Sequence, residues 1–81
     1  MSNLDALRHA ILTDGVRHLC ERHMMRIQQA QDPVAVYLAL ARAEGLIEGL
    51  SVESSLSPAT IELLSIIFDD AVTRRLEILD L

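Results

Sequence analysis

The segment Arg17-His18-Leu19-Cys20-Glu21-Arg22-His23 gathers a thiol and two imidazoles within two helical turns. These are the side chains that hold metal ions or build nucleophiles. Spacing decides whether they can act together. Neighbours on a helix surface lie three or four residues apart, so Cys20 pairs with His23 while His18 points away from both. Two ligands do not make a structural zinc site. A Cys/His pair with no orienting third group and no oxyanion donors is equally incomplete as a nucleophile. We therefore expect a buried Cys20 beside a partly buried His23, with no metal, no cofactor and no catalysis. Asp69-Asp70 is the other pair of catalytic type, but adjacent helical residues diverge by about 100° and no second pair supports hydrolysis.

A second set of residues carries charge. His18, Arg22 and Arg26 recur every four residues and form a stripe that Gln29 extends, suited to a phosphate backbone or an acidic partner. The rest of the chain opposes a nucleic-acid ligand. Net charge is −5, only two residues are aromatic, and all seven cationic side chains are Arg. A helix-turn-helix over Ala41 to Val52 fails because Glu44 stands where an apolar residue is needed. The following helix would also meet DNA with acids. Binding through Arg8, Arg22 and Arg26 is kept as the alternative reading.

The charge is also unevenly placed. Residues 1–31 hold four Arg against three acids, and residues 32–81 hold three Arg against nine. The two halves can attract each other, within or between chains, although exposed ion pairs contribute little.

The third feature is Ala41-Gly45-Gly49, three small residues spaced four apart. Glycine inside a helix costs roughly 1 kcal/mol relative to alanine, so two on one face call for a compensating reason. Close approach of another helix supplies one, from the same chain or from a symmetry mate. With Val34 and Leu38 on the same side, and Phe68 and Arg75 on the last helix, these residues form the candidate helix-packing or dimer interface.

Helices must position all of these groups. Ser2-Asn3-Leu4-Asp5 has capping-box spacing, and Leu4, Leu7 and Ile11 share a face. From Leu12 the apolar set becomes Leu12, Val16, Leu19, Cys20, His23, Ile27 and Ala30, rotated by about a third of a turn. The phase shift falls at Thr13-Asp14-Gly15, where Asp14 can cap the next helix and Gly15 can take a positive φ. Two helices are expected, with one kinked helix as the alternative. Asp32-Pro33 and Ser57-Pro58 each combine a cap with a proline suited to the first turn.

Twelve of the seventeen residues from Val34 to Leu50 are apolar. Val36, Ala39, Leu40, Ala43, Leu46, Ile47 and Leu50 form one broad stripe, with a second apolar side opposite, which points to a central helix. Ser51 to Ser57 reads as a polar linker. In the last helix Ile61, Leu64, Ile67, Phe68, Ala71, Val72 and Leu79 give a wide apolar face, while Glu62, Asp69, Thr73, Glu77 and Asp80 make an acidic stripe.

The expected fold is all-α: a single domain over 1–81, a small bundle of three to four helices at about 4–13, 15–31, 33–50 and 58–79, joined by antiparallel hairpins. Chains of 81 residues bury only about 60 to 65% of their unfolded surface, and a single cysteine allows no internal disulfide. Helix packing and oligomerisation are the remaining sources of stability. No apolar run approaches the roughly 20 residues of a membrane span. Asp5 and the lack of a basic start argue against a secretory signal, so a cytoplasmic location is expected. The all-arginine bias points to a GC-rich bacterium, its phages or its plasmids. The function expected is a non-enzymatic protein-interaction module, an adaptor, chaperone-like factor or inhibitor that acts as a homodimer and also on an unidentified protein partner.

Overall fold

The computed structural model describes residues 2–53 and 56–80. Among them are four helices and no strand: α1 (Asn3–His9), α2 (Asp14–Gln29), α3 (Pro33–Val52) and α4 (Pro58–Leu79). Each helix starts on a side-chain cap. The Asp5 amide donates to Ser2 Oγ at 3.2 Å while the Ser2 amide donates to Asp5 Oδ2 at 3.3 Å, closing the capping box. The hydrogen bonds from Ser2 hold the Asp5 carboxyl below its ordinary pKa. Asp32 Oδ1 accepts from Ala35 N at 2.8 Å, and Ser57 Oγ accepts from Thr60 N at 3.2 Å, each directly before a proline in the first turn.

The break between α1 and α2 is real but built differently from the expectation. Thr13, not Asp14, is the N-cap of α2, its hydroxyl accepting from Val16 N at 3.4 Å. Gly15 lies inside the helix without a positive φ. α1 also ends early, at His9, because Ala10 turns extended (φ −72°, ψ 149°). Ile11 therefore leaves the face it would have shared with Leu7 and is 88% exposed, while Leu7 is fully buried. At the other boundary α3 runs on through Val52, so the expected linker starts later; Ser54 and Ser55 lie outside the described residues.

α2, α3 and α4 form an up-down-up bundle around one core, made chiefly by Cys20, Met24 and Ile27 of α2, Val36, Ala39, Ala43 and Ile47 of α3, and Leu64, Ile67, Phe68, Ala71 and Val72 of α4. The faces of α3 and α4 match the sequence reading. In α2, Met24 is fully buried and Leu19 is 39% exposed. The reason is rotational. Met24 projects about 40° from Cys20, whereas Leu19 projects about 100° away.

α1 packs on α2 and α4 and makes no contact with α3. Asn3 fixes its start. This buried side chain donates through Nδ2 to Asp70 Oδ2 at 2.9 Å and to the Ile67 carbonyl at 3.5 Å. Asp70 is held in turn by Arg74 Nε at 2.8 Å.

Two arginines close helix ends that have no glycine cap. Arg17 Nη2 donates to the carbonyls of Ala10 at 3.0 Å and Leu12 at 3.3 Å, and its Nε donates to Leu7 O at 3.5 Å, gathering the end of α1 onto α2. Arg75 Nε donates to the carbonyl of Ala30, the C-cap of α2, at 2.8 Å. Helix ends leave terminal carbonyls without partners inside the helix, and a guanidinium is a charged donor that satisfies them.

Candidate functional site

Cys20 is fully buried. Burial, with Glu21 beside it, pushes the thiol up to about 11, so it stays protonated and unreactive near neutral pH. His23 is half-buried, and its Nδ1 is enclosed without a hydrogen-bond partner. Burial first, then the guanidiniums of Arg26, Arg22 and Arg42, hold its pKa below the ordinary value. His18 is exposed. Among the described residues no group of three or more His, Cys, Asp or Glu side chains is placed to hold a metal ion.

The basic stripe is solvent-facing as drawn from the sequence: His18, Arg22 and Arg26 are all exposed. The fold adds a member. Arg42 of α3 lines the same shallow α2–α3 groove as Arg26, Gln29 and Leu38. Arg8, Arg17 and Arg74 pair with Asp5, Asp14 and Asp70, and Arg75 is bound to Ala30. Arg22, Arg26 and Arg42 have no ion pair or hydrogen bond among the described residues. Arg42 lies 16 residues from Arg26 in the sequence, and only the docking of α3 on α2 unites them.

The small-residue row is also exposed. Val34, Tyr37 and Leu38 are 70%, 55% and 58% accessible, Val52 is 80%, and Ala41, Gly45 and Gly49 are exposed between them. A Cβ built on Gly45 or Gly49 would meet nothing within 4 Å. Among the described residues no helix makes the close approach that the glycines suggested, and α3, which packs on α2 and α4 alone, is not central. Its inner side packs on α2 and α4 while its outer side is open, and α1 lies elsewhere. Phe68 and Arg75 do not join this surface. Phe68 is 1% exposed in the core, and Arg75 is committed to Ala30.

The outer face of α3 is therefore an apolar row with charged borders. Toward α2 the border is Arg42 with Arg26; toward α4 it is Glu44, which lines a groove with Asp69 of α4, and exposed Glu48 follows one helical turn after Glu44. Neither Glu44 nor Glu48 has an ion pair among the described residues. Among the described residues no helix is long and apolar enough to cross a membrane. The chain matches no protein-family model, no curated protein and no solved structure.

Proposed function

We propose that this chain is a non-enzymatic interaction module that docks on protein surfaces through the outer face of α3, itself included. The observation that carries this reading is the unbroken exposed row Val34, Leu38, Ala41, Gly45, Gly49 and Val52, about 27 Å long by helix rise. Scattered exposed apolar residues are normal, but a contiguous row along a whole helix marks a contact surface.

The test compares wild type with Leu38→Glu in solution mass and in capture of proteins from the source cell. Self-association or a captured partner that the variant loses supports the reading. A wild-type monomer whose captured proteins are the same as the variant's overturns it.

Nucleic acid is the second reading, favoured by the unpaired Arg22, Arg26 and Arg42. Phosphate contacts make binding fall steeply with salt. Duplex DNA retarded at low salt by wild type, and not by Arg22→Glu/Arg26→Glu, supports it; no retardation at low salt removes it.

A further inference from the structure

The geometry points to a second copy of this chain as the occupant of the α3 outer face, with the two α3 helices parallel about a two-fold axis running along them. This inference rests on the interaction reading above and adds its occupant and orientation. The central row does not choose the orientation, because small residues meet small residues whichever way the second helix runs. The borders do. At about 100° per residue, Arg42 projects about 80° to one side of Val34, and Glu48 and Glu44 project about 40° and 80° to the other. Within one helix these charges are two and six residues apart and cannot pair.

A two-fold axis along the helices brings the Arg42 border of each chain against the Glu44/Glu48 border of the other. The axial offsets are about 3 and 9 Å, within reach of an arginine and a glutamate. A two-fold axis across the helices does the opposite and sets arginine border against arginine border and acid against acid. Like charges facing each other across an interface oppose association. Arg26, beside Arg42 in the same groove, strengthens the preference. Ala41, Gly45 and Gly49 then let the helices approach more closely than the usual 8–10 Å. One helix face offers less area than the roughly 800 Å² per partner of a standard interface, so the dimer is expected to be weak and concentration-dependent.

Sedimentation of wild type up to about 500 µM gives the dissociation constant. Arg42→Glu and Glu44→Arg/Glu48→Arg are each expected to weaken it at least about tenfold, and their equimolar mixture to restore it, because each chain then supplies what the other lacks. Orientation is read by oxidation in a Cys20→Ala background. Ala41→Cys and Gly49→Cys should each cross-link to themselves. Cross-linking only when the two are mixed means antiparallel helices and overturns the inference, as does a wild-type monomer at the highest concentration. A dimer insensitive to both charge reversals overturns the pairing. A wild-type monomer that binds a different protein through Leu38 leaves the interaction reading standing and removes the second copy.

Discussion

Arg75 Nε and the carbonyl oxygen of Ala30 lie 2.8 Å apart, joining the C-terminal half of α4 to the C-cap of α2 across 45 residues of sequence. Ala30 ends its helix in an extended conformation (φ −61°, ψ 136°), so no left-handed glycine folds back over the terminal carbonyls. The guanidinium replaces that cap. Arg17 does the same for α1, and the two contacts position the ends of both N-terminal helices.

Arg75→Gln should therefore destabilise the chain by about 1.5–3 kcal/mol, the range for hydrogen bonds that involve a charged group. Urea unfolding followed by circular dichroism should show the midpoint fall by roughly 1–2 M at the slope typical of small domains. An unchanged midpoint would mean that the Ala30 carbonyl is equally well served by water.

Gly45→Ala and Gly49→Ala should act in opposite directions on folding and on association. Both positions are helical and an added Cβ meets nothing within 4 Å beyond the adjacent backbone of its own helix among the described residues, so at dilution each should stabilise by about 0.5–1 kcal/mol. At concentrations where the chain associates, the gain should shrink, since the methyl group holds the second helix away. Thermal melts at low and high concentration separate the two effects.

Cys20 should resist alkylation in the native state. A fully buried thiol shifted to about 11 presents little thiolate at pH 8. Iodoacetamide labelling should follow unfolding and accelerate in urea. The same shift predicts an alkaline loss of stability. The unfolded thiol ionises near its ordinary value of 9.0 and the folded one near 11, so the unfolded chain releases its proton first and folding weakens between them, by up to about 1.4 kcal/mol per pH unit. Cys20→Ala removes that slope.

His23 gives the acid-side counterpart. Its folded pKa is depressed, by burial first and then by Arg26, Arg22 and Arg42. Between the folded and the ordinary value the unfolded chain binds the extra proton. Its contribution is thus fully retained above the ordinary value of 6.5 and declines as pH falls below it. Denaturation midpoints from pH 8 to 5 should fall in wild type and less in His23→Gln.

Much of the secondary structure was legible along the chain because capping is local. Ser2, Asp32 and Ser57 each satisfy an amide three residues ahead, and proline tolerates only the first turn, so the starts of α1, α3 and α4 follow from short-range chemistry. The inner faces of α3 and α4 were equally plain in their helical period. Helix ends were not. α1 stops at His9, where Ala10 turns extended, and Arg17 on the next helix binds the carbonyls of Leu7, Ala10 and Leu12 around that end, a contact that no pattern within residues 3–12 announces.

The surfaces divide in the same way. Exposure of His18, Arg22 and Arg26 follows from their spacing on a single helix. Periodicity also marked Val34, Leu38, Ala41, Gly45 and Gly49 as one row, but it could not say whether the chain covers that row itself. Packing decides it, because Asn3, through Asp70 and the Ile67 carbonyl, seats α1 on the α2–α4 side. With α1 committed there, the glycines of α3 face outward, Arg42 joins Arg26 across the α2–α3 groove, and Arg75 is withdrawn from the surface to hold Ala30. Each outcome depends on residues far apart in the chain. A one-dimensional period reports which side chains share a face; only the arrangement of the helices determines what that face meets.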